Sequence, residues 1–237
     1  MSINYLERYR NGEFEQVWNE MLALGPAVRQ EPHYSQAQAV AAETMRRVRR
    51  NCERLIDRLR AMEYVFGTYS DGTRRDYPAE PFSPPSETMQ ADRAELEMEA
   101  GLLPLSLVAF WQEVGAIDLV GMHPDWPDGL DPLVVDPPEG ALALLYEEDD
   151  EETGEASWFA GLAPDDLHKD NVSGGDPYGL HLPEPAADFL LLYEPHHLYF
   201  VPYLRLAILE WGGFPGLDGQ SLQFEPLSRL VAGLEPF

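Results

Sequence analysis

The most concentrated set of chemically active side chains in the sequence is a run of six adjacent carboxylates: Glu147, Glu148, Asp149, Asp150, Glu151 and Glu152. Carboxylates bind calcium when oxygen ligands alternate around a turn that contains glycine, and this run lacks that spacing. Repeated like charges are typical of a solvated loop or helix end, and they also attract basic proteins. We therefore interpret the run as solvated surface, with binding of a basic protein partner as its functional role.

The remaining polar clusters form no recognisable catalytic or metal-binding motif. His196 and His197 are adjacent at the predicted start of a helix, so their rings point in different directions and seldom hold one metal ion. Gly174 and Gly175 could bind an anion through backbone N–H groups, but the lysine of a phosphate loop is absent, and we interpret residues 170–179 as a turn between strands. The sequence therefore predicts no catalytic residue, metal or cofactor, and a protein that is not an enzyme.

The single cysteine, Cys52, excludes an internal disulfide and a cysteine-rich metal site. It lies among apolar positions of a predicted helix, so we expect a buried structural thiol rather than a nucleophile. No window of the sequence approaches the roughly 20 apolar residues that a membrane-spanning helix needs. The first residues lack the apolar core of a secretion signal, so we expect a cytoplasmic protein without membrane contact.

Charge is distributed unevenly along the 237 residues, whose formal net charge is -26. Residues 1–66 hold ten arginines and nine acidic residues, whereas the rest of the chain holds six basic and 33 acidic residues. A surface this negative repels the phosphate backbone, which disfavours nucleic-acid binding. The same charge favours a basic protein as the partner.

Residues 1–66 are predicted to be helical. Apolar residues recur at helical spacing over residues 13–24 and again over residues 35–62, and each stripe indicates one buried face. The opposite side of the second helix carries seven arginines: Arg46, Arg47, Arg49, Arg50, Arg54, Arg58 and Arg60. Because no aromatic residues alternate with them, we expect these arginines to face solvent or the acidic region rather than nucleic acid.

Residues 67–90 break every periodicity with prolines and glycines, which is typical of a linker or a long surface crossing. Residues 91–237 then combine helices with short strands, starting with an acidic helix over residues 91–101. Further helices are predicted over residues 138–148, around residues 197–212, and over residues 226–234. Strand-like segments separated by turn-rich pieces predict an antiparallel or mixed sheet: residues 116–121, 131–136, 157–164, 178–183 and 187–194.

The apolar stretch GLLPLSLVAFWQEVGAIDLVG, residues 101–121, indicates the centre of the fold. Pro104 suits the first turn of a helix, since its missing N–H would have no partner there. Phe110 and Trp111 lie in the middle of that helix, and Gly115 suits the left-handed residue that ends it. These residue types can pack but cannot do acid, base or nucleophilic work, so we expect a nucleus of the fold rather than a site.

This pattern resembles the SUKH superfamily, which includes fungal cell-wall-synthesis regulators and many bacterial immunity proteins. The resemblance covers roughly residues 91–237 and rests on Leu103, Pro104, Phe110, Trp111 and Gly115, which match the family's recurring signature. It implies an α+β domain of mixed or antiparallel sheet packed with helices, here preceded by the helical region of residues 1–66. It also implies protein binding without catalysis, and in bacteria the neutralisation of a toxin.

The sequence therefore predicts a non-catalytic acidic module that binds a basic, toxin-like protein, with an immunity function as its leading interpretation. Two alternatives stay open at this point. One is an enzyme or a small-ligand-binding domain with a site in the cleft between the two parts of the chain. The other is a regulatory scaffold with several protein partners.

Overall fold

The computed structural model describes residues 4–75, 80–149, 156–218 and 224–237, and it confirms the predicted α+β class. The α-helices are α1 Tyr5–Arg10, α2 Phe14–Ala23, α3 His33–Ala61, α4 Glu87–Ala100, α5 Leu105–Glu113, α6 Pro138–Ala143, α7 Asp166–Lys169, α8 Phe200–Arg205 and α9 Leu227–Val231. Short 3-10 helices span Gly25–Arg29 and Pro215–Leu217, and a π-helical turn, Leu206–Glu210, continues α8.

The strands form three small antiparallel sheets. They are β1 Val65–Phe66, β2 Phe82–Ser83, β3 Ala116–Asp118, β4 Gly121–Met122, β5 Val134–Val135, β6 Leu145–Asp149, β7 Ala156–Ala163 and β8 Tyr178–Leu182. Strand β1 pairs with β4, the second sheet has the order β2-β3-β5, and the third has the order β6-β7-β8. All pairings are antiparallel, and a register shift interrupts the β7–β8 ladder between Gly161 and Ala163.

Helix α3 is the longest element and lies against α5, α1 and α9. Its buried side chains follow the stripe predicted from the sequence, from Ala37 through Val48 to Leu59, and Cys52 is fully buried among them. Burial raises the pKa of the Cys52 thiol to about 12, so it stays protonated as an inert core residue. Side chains of this helix and of α5 belong to one continuous hydrophobic core.

One hydrophobic core joins the N-terminal region to the rest of the chain. Buried residues of the first 66 positions and of residues 91–237 belong to the same cluster, and β2 in the predicted linker pairs with β3. The division into residues 1–66, 67–90 and 91–237 stays a prediction about organisation. Among the helices of the described ranges, none has the length and hydrophobicity that a membrane span requires.

Several predicted elements have different boundaries in the structure. The helix predicted over residues 138–148 is wrong in its second half, because the helix ends at Ala143 and residues 145–149 form β6 against β7. Residues 187–194 contribute only isolated bridges, Gly179 to Leu192 and Leu190 to Tyr199. The acidic helix begins at Glu87 because the Ser86 side chain caps it, accepting the Met89 N–H at 3.2 Å.

Candidate functional site

The outer face of the β6-β7-β8 sheet carries aromatic side chains in one cross-strand row. The register places Tyr146 of β6 opposite Phe159 of β7, and Phe159 opposite His181 of β8. Side chains paired in this way share one face of the sheet. Phe159 is fully buried yet lies outside the main core cluster, because Tyr146 and Tyr193 cover its ring at centroid distances of 5.2 and 5.6 Å.

The same face continues through the two isolated bridges. The register places Gly179 on the same face of the sheet as Phe159, and its bridge partner Leu192 shares that face. Side chains alternate between faces along a strand, so Leu190 lies on this face as well. Its bridge partner Tyr199 therefore does too. Four large side chains here remain exposed to solvent: Tyr146 at 41%, Leu190 at 44%, Tyr193 at 49% and Tyr199 at 39%. We call the six residues the aromatic face: Tyr146, Phe159, His181, Leu190, Tyr193 and Tyr199. Grouped exposed apolar residues mark interaction surfaces, whereas scattered single ones do not.

Gly179 is required for this arrangement. A Cβ atom at this position would lie 2.5 Å from the Phe159 ring and would also collide with the Ala160 carbonyl oxygen. Any other residue at this position would therefore displace the Phe159 ring or the β7 backbone. The close fit holds the ring in place beneath Tyr146 and Tyr193, so the exposed aromatics rest on a rigid base.

The acidic run begins beside this face. Glu147, Glu148 and Asp149 belong to strand β6, and the Glu147 side chain is exposed. Asp150, Glu151 and Glu152 lie outside the described residues. The predicted partner-binding segment therefore starts on a strand at the edge of a sheet, where the sequence predicted the end of a helix.

The signature residues lie in the interior. Leu103, Phe110 and Trp111 are buried, with Phe110 edge-to-face against Phe200 at 5.6 Å, and the Trp111 Nε1–H donates to the Asp136 carbonyl oxygen at 2.9 Å. Pro104 is the N-cap of α5 rather than a residue of its first turn. Gly115 has a φ of 94°, and a Cβ there would collide with the Ser83 carbonyl oxygen. These residues are buried and contribute to packing, and they present no reactive group to solvent.

The arginine face of α3 holds the segment 230–237. Arg50 donates to the Glu235 carboxylate at 2.7 Å, and Arg54 donates to the same group at 3.1 Å. Arg58 donates to the carbonyl oxygens of Leu230 and Ala232, and Arg47 donates to that of Pro236. Asn51 pairs with the backbone N–H and C=O of Glu235, both at 2.8 Å. These arginines therefore have partners inside the chain, as the charge split led us to expect.

A cavity of about 680 Å³ lies between β3, α4 and α6. Arg75, Asp118, Asp136 and Glu139 contribute charged groups to its wall, and Arg75 forms a mostly buried ion pair with Asp118. Burial, together with the nearby Asp118 carboxylate, raises the pKa of Asp136 to about 6. A carboxyl group that titrates near neutrality can act as an acid or a base.

A buried polar cluster near β8 has no signal in the sequence. The Lys169 ammonium is fully buried and donates to Asp131 at 2.6 Å, and the Tyr178 hydroxyl donates to the other Asp131 oxygen at 3.2 Å. Burial and the Asp131 carboxylate raise the pKa of Tyr178 above its usual range. The three side chains are buried and bond to one another, so the cluster holds β8 and α7 to Asp131 in the segment between β4 and β5.

Two histidines, His196 and His168, pair with separate carboxylates. His196 lies between buried Glu194 and Asp218, with its Nε2 3.2 Å from Asp218, whereas His168 contacts Asp165 at 2.5 Å. Among the described residues, no group of histidine, cysteine and acidic side chains is placed to hold a metal ion. Residues 170–177 connect α7 to β8, with Asn171 in a left-handed conformation.

Comparison of the chain with protein-family models, curated proteins and solved structures finds no match. The resemblance to the SUKH superfamily therefore stays an interpretation of five residues, Leu103, Pro104, Phe110, Trp111 and Gly115. The structure brings together the aromatic face and the start of the acidic run. The signature residues are buried in the interior.

Proposed function

We propose that the protein is a non-catalytic acidic module that binds a basic protein partner through the aromatic face and the adjoining strand β6. The observation that carries this proposal is the group of exposed side chains Tyr146, Leu190, Tyr193 and Tyr199 on one face of a sheet whose edge strand β6 is acidic. Tyrosine supplies much of the binding energy in protein interfaces, since it buries a large area at low entropic cost. The acidic run adds long-range attraction for a basic partner.

The specific form that we propose is an immunity protein that neutralises a basic toxin. Its support is the resemblance of residues 91–237 to the SUKH superfamily, together with a net charge of -26 that would attract a cationic effector. A regulatory scaffold with several partners would use the same surface. A toxin-neutralising function requires one tight partner, whereas a scaffold requires several of moderate affinity.

Affinity capture with matched variants tests the proposal. The wild-type chain is compared with Leu190→Ser/Tyr199→Ser, which removes exposed apolar area from the aromatic face. The control is Met98→Ser/Val172→Ser, which removes apolar side chains that are 75% and 55% exposed elsewhere. We expect the wild type and the control to retain a basic protein at low salt and to lose it at high salt. The aromatic-face variant should lose it at both.

A growth assay then distinguishes toxin neutralisation from a scaffold function. The captured protein is expressed in a growth assay with and without the acidic chain, and an immunity function predicts that co-expression restores growth. Capture of the same protein by the wild type and by both variants would contradict the assignment of the aromatic face. A captured protein that is harmless to cells would contradict toxin neutralisation and favour the regulatory scaffold.

The cavity at Asp136 supports a second candidate function, binding or conversion of a small cationic ligand. It lies between the segment of residues 67–90 and the rest of the fold, and no residue of the described range 4–66 lines it. An Asp136→Asn variant tests this function by ligand titration. If a cationic metabolite pool shifts the melting temperature of the wild type but not of Asp136→Asn, the cavity is a ligand site. Equal shifts would contradict that.

A further inference from the structure

Strand β6 is the end strand of its sheet. Strand β7 pairs with one side of it, and within the described ranges no strand pairs with the other side. An edge strand presents a row of backbone N–H and C=O groups along its outer side. With five residues, β6 has the length of a typical strand, so it can pair with a segment of about five residues.

We propose that a basic, extended segment of the partner adds to this sheet as a further strand, antiparallel or parallel to β6. This inference rests on the proposed function and names the mode of binding. In strand addition, backbone hydrogen bonds give affinity and alternate side chains give specificity. The aromatic face lies on one side of the added strand and extends the interface beyond the edge itself.

Charge decides which occupant the edge accepts. Glu147, Glu148 and Asp149 are three consecutive acidic residues on a five-residue strand. A second copy of the chain would bring the same acidic strand against them, and like charges directly opposite one another destabilise a pair. Acidic edges therefore prevent pairing between copies, while a strand that carries lysine or arginine gains attraction at the same positions.

The register also predicts the pattern of the added segment. Tyr146 and Glu147 point to opposite faces of the sheet, so neighbouring residues of the added strand meet different surroundings. The residue beside Glu147 should be lysine or arginine. The residue beside Tyr146 can be aliphatic, or a cation placed over the tyrosine ring.

Synthetic peptides test strand addition on the intact protein. The probe is a fluorescently labelled heptapeptide of alternating lysine and valine, and its control is the same peptide with every backbone amide N-methylated. Both carry the same charge and side chains, but the control cannot donate backbone hydrogen bonds. We expect the control to bind at least about tenfold more weakly, since several backbone hydrogen bonds are lost. Amide exchange should slow in β6 when the unmethylated peptide is added.

Two protein variants locate the binding. Glu147→Gln/Glu148→Gln/Asp149→Asn removes three charges from β6, and Asp57→Asn/Glu95→Gln/Glu99→Gln removes three from helices α3 and α4. We expect only the first variant to weaken peptide binding. Equal binding of the two peptides would overturn strand addition while leaving an acidic binding surface intact. Absence of peptide binding at low salt, or protection of amides outside β6, would also overturn strand addition, whereas the proposed function is decided by the capture experiment.

Discussion

Replacement of Trp111 by alanine tests whether residues 101–121 form the centre of the fold. Trp111 is almost completely buried, and its Nε1–H donates to the Asp136 carbonyl oxygen at 2.9 Å. Loss of a buried tryptophan ring costs about 3 to 5 kcal/mol of unfolding free energy. For a chain of this length each kcal/mol moves the melting temperature by about 2 to 4 °C, so we expect a decrease of roughly 6 to 20 °C.

Two further variants separate the contributions. Trp111→Phe keeps an aromatic ring but removes the donor to Asp136, and it should cost about 1 to 3 kcal/mol. Met98→Ala changes a side chain that is 75% exposed, so its unfolding free energy should stay within about 0.5 kcal/mol of the wild type. Thermal and urea unfolding followed by circular dichroism measure all three variants. A melting temperature of Trp111→Ala equal to that of the wild type would refute the reasoning.

Three more predictions concern charge. Because the pKa of Asp136 is raised to about 6 by burial, its protonated form stabilises the fold at low pH, and that contribution is lost as pH rises from about 4 to about 6. Urea unfolding at several pH values should show Asp136→Asn gaining roughly 3 kcal/mol relative to the wild type across this window, and parallel pH curves would contradict the assignment. Arg50→Glu/Arg54→Glu should lower the melting temperature by only a few degrees, because both ion pairs with Glu235 are partly exposed. Neither the wild type nor this variant should shift DNA or RNA in a gel. Tight, salt-sensitive nucleic-acid binding by the wild type would contradict this prediction. Replacing residues 147–152 with glutamine and asparagine should slow association with the captured partner at low salt, as measured by stopped-flow kinetics. The melting temperature should stay nearly unchanged. An unchanged association rate would limit the acidic run to a solubility role.

The helices of the first region were predictable because their periodicity is strong. The predicted spans 13–24 and 35–62 correspond to Phe14–Ala23 and His33–Ala61, and the buried stripe of α3 is the one read from its apolar residues. Gly115 was predictable as well, since a left-handed helix end favours glycine. Local patterns of this kind are decided by nearby residues and leave a direct trace in the sequence.

The acidic strand was not predictable in the same way. Alanine, leucine and glutamate over residues 138–148 favour a helix, but pairing with β7 decides the conformation of residues 145–149. The aromatic face was missed for a related reason. Tyr146, Phe159 and Tyr193 are far apart in sequence, and only the register of three strands and the bend at Tyr193 bring their rings together.

The contacts between α3 and residues 230–237 have a consequence for biosynthesis. The arginines of α3 leave the ribosome first, and their partners follow about 180 residues later, as the Arg50–Glu235 pair shows. At about 5 to 20 residues per second, this interval lasts roughly 10 to 40 s. During that time the α3 arginines lack the partners that residues 230–237 supply, which are the Glu235 carboxylate and the backbone carbonyl oxygens of Leu230, Ala232 and Pro236.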